Sequence, residues 1–126
     1  MQDLERLRGK RYISLETYRR TGQPVRTPVW FAEDNGRLLF YSEANAGKVK
    51  RIRNNPQVRL APSDGRGRVS DDAVWLQGRA SLLQAADAER AQALLVKKYG
   101  WQRRLLDLFW VLGGRKPRAA MQIVFD

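Results

Sequence analysis

The chain has 126 residues, 43% of them hydrophobic, and carries 24 Lys and Arg against 13 Asp and Glu, a net charge of +11. That is one domain's worth, residues 1–126, with enough apolar side chains for a modest core. It contains no Cys and no His, which excludes disulfides, thiolate metal sites and His-dependent triads and leaves no expected metal centre. Such a chain either binds a ligand or takes its chemistry from a cofactor. The charge predicts attraction to anions, and the predominance of Arg suits forked contacts to phosphate or carboxylate. A solvated surface accounts for about half of these arginines. No apolar run approaches the roughly 18 residues of a membrane span, and MQDLERLRGK has no apolar leader core. The expectation is a cytoplasmic chain without a membrane span.

Residues 1–9 are expected to form a short helix with Leu4 and Leu7 on one face. Arg11 to Tyr18 alternates and is rich in aromatic and β-branched residues, so it predicts a strand. Thr21-Gly22-Gln23-Pro24 is turn chemistry. A second strand, Val25 to Ala32, places Val25, Thr27, Val29 and Phe31 on one face. Pro28 has no N–H to give, so its position is an edge, a bulge or a ligand-facing point. Asp34-Asn35-Gly36 predicts a hairpin into a third strand, Arg37 to Ser42.

A helix follows. Val49 and Ile52 face inward, Asn45 is the expected N-cap, and Pro56 stops it. Gln57 to Ala61 reads as a fourth strand with Val58 and Leu60 inward, and Pro62 to Asp72 as a polar loop. The strand Val74 to Leu82 alternates, which puts Val74, Leu76, Gly78, Ala80 and Leu82 on the core side. Asp87 to Tyr99 is an amphipathic helix with Ala88, Ala91, Leu95 and Tyr99 on one stripe. Leu105 to Leu112 is helical and apolar nearly all round, so it is expected to be buried, at a dimer interface or against an anionic bilayer. Arg118 to Phe125 is the last strand. Six strands in the order β-β-β-α-β-β-α-α-β, joined by short turns, imply an antiparallel meander and a small barrel rather than a doubly wound sheet.

The stretch GKVKRIRNNP packs four cations into six residues, with no acid from Ala44 to Ser63. Lys48 and Lys50 lie at the start of the helix, where the macrodipole disfavours cations by about 0.3–1 kcal/mol each. The arrangement makes sense if an anion sits there, held by free backbone N–H groups, a close approach at Gly47 and Lys side chains. Arg51 and Arg53 are weaker candidates, equally explained as solvated surface. Nucleic acid is a rival, because a basic helix and aromatic-rich strands suit backbone binding and base stacking. The helix is short, however, and no recognised nucleic-acid motif is present.

Together the TPVWF block (Thr27 to Phe31), the GKVKRIRNNP block leading into Val58 to Pro62, and Gln77-Gly78-Arg79-Ala80 carry a resemblance over nearly the whole chain. They resemble the pyridoxamine 5'-phosphate oxidase-like split β-barrel proteins, and within them the coenzyme F420 (deazaflavin)-dependent branch. The resemblance implies a mainly β fold with minor α, a six-stranded antiparallel split barrel of the FMN-binding type with two to four short helices. It implies a homodimer with cofactor sites in clefts between subunits. Carried onto this chain, Lys48 matches the phosphate-binding Lys, with Lys50, Gly47 and Arg51 beside it. Arg26, Thr27, Pro28 and Val29 would line the ring cleft. The oxidase branch uses His near its C-terminus, and this chain has none. The function so implied is hydride transfer from F420 to a small organic substrate, with catalytic residues unassigned. Arg26, Arg59, Tyr41 and Trp75 are open candidates for stabilising charge, and Arg51, Arg53, Arg66 and Arg68 for meeting the cofactor's polyglutamate tail. The alternatives are an FMN-binding reductase, a non-catalytic cofactor carrier and a basic nucleic-acid binder.

Overall fold

The computed structural model describes Leu7 and residues 9–43, 46–99 and 118–125. The expected helix at 105–112, and all of the one at 1–9 except Leu7 and Gly9, lie outside the described residues. In chain order the elements are β1 (Tyr12–Tyr18), β2 (Pro24–Val29), β3 (Ala32–Asp34), β4 (Arg37–Glu43), α1 (Gly47–Asn54), β5 (Gln57–Ser63), β6 (Leu76–Leu82), α2 (Ala85–Tyr99) and β7 (Arg118–Phe125). All seven strands form one antiparallel sheet in the order β2-β1-β5-β6-β7-β4-β3.

The strand expected at Val25 to Ala32 is two strands, interrupted at Trp30-Phe31, which accounts for seven strands where six were expected. β2 and β3 are also the two ends of the strand order. Only two residues join them, so the sheet must curl until its edges nearly meet, and this is the split barrel. Pro28 lies on β2, an edge strand, where its missing N–H leaves no gap in the interior ladder. The simple meander is not what forms. α1 carries the chain across so that β5 pairs with β1 rather than β4, and β7 fills the place between β6 and β4. The Asp34-Asn35-Gly36 hairpin forms as expected, with φ of 51° at Asn35 and 87° at Gly36, the left-handed geometry of a two-residue turn.

Strand alternation sorts the sheet into two faces. Ile13 and Leu15 of β1, Val29 of β2, Val58 and Leu60 of β5, Leu76 and Ala80 of β6, and Met121 and Ile123 of β7 are buried in the main core, with Leu38 and Phe40 of β4. α1 closes this core with Val49 and Ile52. Burying two such side chains is worth about 1.5–3 kcal/mol each, enough to hold a short helix that would not form alone. α2 lies against the β3–β4 hairpin, with Leu95 packed on Ala32, Trp30 and Tyr41. Two expected core positions are corrected. Val74 precedes β6 and is 51% exposed, and Leu82 ends β6 beyond the core and is 39% exposed. The helix cap is also corrected: Ala46 holds the N-cap position of α1, with no side-chain cap bond.

Candidate functional site

α1 begins at Gly47 with no acid in its first turn and no side-chain cap. The amides of Val49 and Lys50 bond to the Ala46 carbonyl, and the positive end of the helix macrodipole lies at Gly47 and Lys48. Arg51 lies one turn further on, and its side chain folds back over this end. A Cβ on Gly47 would stand 2.7 Å from Arg51 Nη1, so only glycine leaves the guanidinium room to lie there. Arg51 Nε donates to Thr17 Oγ1 at 2.6 Å. No carboxylate pairs with Arg51 among the described residues. Burial lowers its pKa, and the nearby charge of Arg19 lowers it further. A half-buried guanidinium that repels a neighbouring cation and has no acid beside it is electrostatically incomplete. Lys48 is half-buried on the same turn, and Lys50 is exposed. Gly47, Lys48 and Arg51 thus lie together at the start of α1, a basic cluster without an acid in the helix's first turn.

The other residues expected at the site divide. Thr17 and Glu16 are consecutive in β1, so their side chains leave opposite faces. Thr17 and Arg51 are on the core and helix side, whereas Arg26 is on the outer face. There Arg26 Nε donates to Glu16 Oε2 at 2.8 Å. Val29 is a core residue and Pro28 is exposed. The Thr27 hydroxyl is buried and has no hydrogen-bond partner among the described residues. β2 is an edge, so a ligand lying along it can touch groups from both faces.

Glu16 is the centre of the outer-face cluster. It is 1% exposed, and it accepts from Arg26, from both Nε (2.7 Å) and Nη2 (3.1 Å) of Arg59, and from the Tyr18 hydroxyl (2.8 Å). Burial alone would raise its pKa. The hydrogen bonds from Arg59, Arg26 and Tyr18 overcome that and hold it at about 2. Trp75 spreads over both guanidinium groups, 4.5 Å from Arg26 and 5.3 Å from Arg59. Of the residues considered for charge stabilisation, Arg26, Arg59 and Trp75 therefore form one unit. Tyr41 is elsewhere, its hydroxyl bonded to the Ala88 carbonyl of α2. Among the rim arginines, Arg53, Arg66 and Arg68 are exposed, and Arg68 bonds Asp64 at 2.9 Å.

Sequence reasoning passed over Glu16, Thr17 and Asp34. An acid inside an otherwise apolar and aromatic strand was the available signal for Glu16. Asp34 was read only as turn chemistry, yet it is buried and held by Arg37 (3.0 Å) and by both Nε (2.9 Å) and Nη2 (2.8 Å) of Arg90. The Arg90 hydrogen bond is the main reason its pKa falls to about 2, against the opposing effect of burial. This pair ties α2 to the β3–β4 hairpin.

Comparison with known proteins agrees with this architecture. No curated protein matches the chain significantly in sequence. Among solved structures, a heme storage protein from Vibrio cholerae, HutZ, superposes with a TM-score of 0.74 at 12% identity, covering 99% of this chain and 88% of that one. A FAD-binding protein from Mesorhizobium loti gives 0.67 at 20% identity, covering 99% and 86%. An F420 reductase gives 0.64 at 18% identity, covering 97% and 91%. Identities this low establish a shared fold. The family model for pyridoxamine 5'-phosphate oxidase matches residues 2–123, nearly the whole chain, and the protein belongs to that family.

Proposed function

We propose that this protein is an oxidoreductase that binds a phosphate-bearing redox cofactor, coenzyme F420, and transfers a hydride between it and a small organic substrate. The observation that carries the reading is Arg51, half-buried, without a carboxylate partner among the described residues and folded over Gly47 at the start of α1, which has no side-chain cap. A phosphate there would accept from helix N–H groups and from a guanidinium, and would add the negative charge the cluster lacks. Lys48 adds a point charge beside it. The donor set therefore fits a phosphate monoester or diester.

When bound, the deazaflavin supplies the hydride. The chain's part is to hold the phosphate at Gly47, Lys48 and Arg51, to lay the ring along the β2 edge, and to exclude water around it. The orphaned Thr27 hydroxyl near that edge is a further candidate for a polar contact with the ring system. FMN is the second reading, because its terminal phosphate suits the same cradle. A homodimer goes with both, the second copy closing the cleft over β2. The exposed Val74, Leu82 and Val124 are apolar surface available for it.

Titration with F420 and with FMN, followed by cofactor fluorescence, tests the proposal. Saturable quenching or shift by F420 supports it, saturation by FMN alone moves the assignment to the flavin, and no change with either refutes the cofactor reading. Sizing by light scattering should report a dimer, and a monomer that still binds would remove the shared cleft.

A further inference from the structure

Beside the Glu16 cluster, on the outer face of the sheet, is a cavity of about 350 Å³ lined by Tyr18, Gly22, Asn55, Gln57, Val58, Arg59 and Gln77. This lies at the lower end of the range for small-molecule sites. It is at the C-terminal end of α1, where Asn55 is the C-cap, whereas the anion cradle is at the N-terminal end. No residue is shared between the two. The function proposed above makes no use of this cavity.

The walls are specific in kind. Glu16 takes Arg59 Nε and Nη2 and so fixes the plane of the guanidinium. Among the described residues the Nη1 edge is committed to no carboxylate, and the Arg59 side chain is 36% exposed. Two guanidinium groups share one carboxylate in this cluster, so it carries one net positive charge. Glu16, with its pKa well below neutrality, keeps that balance at working pH. Arg79 pairs with Gln57 in the β5–β6 register and adds positive potential on the same face. Around the cation stand three carboxamides. Asn55 Oδ1 accepts from the Gln57 amide at 3.1 Å, which turns the Asn55 NH2 group away as a donor. The Tyr18 ring supplies the apolar part of the wall, since the Val58 side chain points to the core.

We infer that this cavity is a second ligand site, selective for a small carboxylate attached to a planar or apolar body. Arg59 presents a pre-aligned guanidinium to the carboxylate, and Gln57, Gln77 and Asn55 donate to its remaining lone pairs. Glu16 acts as a positioning residue, since its hydrogen bonds replace the rotamer freedom that a free Arg would lose on binding. Among the described residues Arg59 is the one cation in the cavity lining, which favours a monoanion over a dianionic phosphate and separates its ligand class from that of the α1 cradle.

The test uses the full chain, amide-resolved NMR and benzoate as the probe, with inorganic phosphate as the comparison anion at constant ionic strength. Benzoate should shift the side-chain amides of Asn55, Gln57 and Gln77 and the Trp75 indole N–H saturably, by about 10 mM or below. Phosphate should leave them unmoved. Gln77→Leu, which leaves the Glu16 ion pairs intact, should weaken benzoate about threefold to tenfold. The double variant Glu16→Gln/Arg59→Gln, which removes the cation without stranding a buried carboxylate, should abolish saturation while the fold persists. The inference is overturned by no saturable shift, by shifts confined to Gly47 through Arg51, or by the same shifts appearing on concentrating the protein without benzoate. The last result would mean that a second copy of the chain fills the cavity. Each outcome is independent of whether F420 binds.

Discussion

Arg51 lies back over Gly47, with its Nη1 2.7 Å from the place a Cβ would occupy. This contact joins two facts that are separate in the sequence: a helix that starts with glycine and a guanidinium that has no acid to pair with among the described residues. Gly47→Ala should push the guanidinium away from the helix end. The flexible tip of Arg51 can move, so the expected stability change is within about 0.5 kcal/mol. Affinity for cofactor, read by fluorescence titration, should fall severalfold. Unchanged affinity would show that the Arg51 position is irrelevant to the ligand.

Lys48→Ala should cost about 1.5–3 kcal/mol of cofactor affinity if Lys48 makes a charge-assisted bond to phosphate. Arg51→Ala should cost a similar amount, whereas Lys50→Ala, exposed on the helix surface, should change affinity little. Equal losses for all three would indicate a diffuse electrostatic attraction, which rising salt would erase.

The Glu16 cluster should respond asymmetrically to mutation. Removing both Arg26 and Arg59 leaves a buried carboxylate unpaired and should cost about 3–5 kcal/mol in chemical denaturation. Glu16→Gln leaves two arginines that can turn to water (side chains 53% and 36% exposed) and should cost only about 1–2 kcal/mol. The reverse order would contradict the buried-charge account.

Acid should unfold the protein through two groups. Glu16 and Asp34 both have folded pKa values of about 2, below the ordinary 4.5 and 3.8. A carboxylate with a depressed folded pKa contributes stability that is present above its unfolded value and is lost as pH falls through the folded one. Denaturation midpoints should thus hold near neutrality, decline below about pH 4.5 and reach their floor near pH 2. In a Glu16→Gln/Asp34→Asn variant the decline should be shallower.

Local features were legible in the sequence because their causes are local. Alternation marked the strands, Asn35-Gly36 marked the turn, Pro56 marked the end of α1, and Val49 and Ile52 marked its buried face. The choice of Lys48 and Gly47 as anion-binding candidates came from helix polarity and from the family resemblance, both of which are read along the chain. Val74 was misplaced because periodicity does not say where a strand begins, and Val25 to Ala32 was read as one strand because nothing local reports the curl that breaks it at Trp30-Phe31.

What tertiary structure decided was which distant residues meet. Glu16 faces Arg26 and Arg59 only because β1 pairs with both β2 and β5 in one register, and a shift of one residue would turn the acid toward the core. Arg51 reaches Thr17 only because α1 closes the barrel beside β1. Of Arg26 and Arg51, both read as possible cofactor contacts, strand alternation put Arg26 beside Glu16 on the outer face, and the packing of α1 put Arg51 beside Thr17 on the other. The sequence by itself determined the charge, most of the elements and a helix start with no acid in its first turn. Pairing across the sheet decided which charges neutralise one another inside the protein, because strand register sets which distant side chains meet.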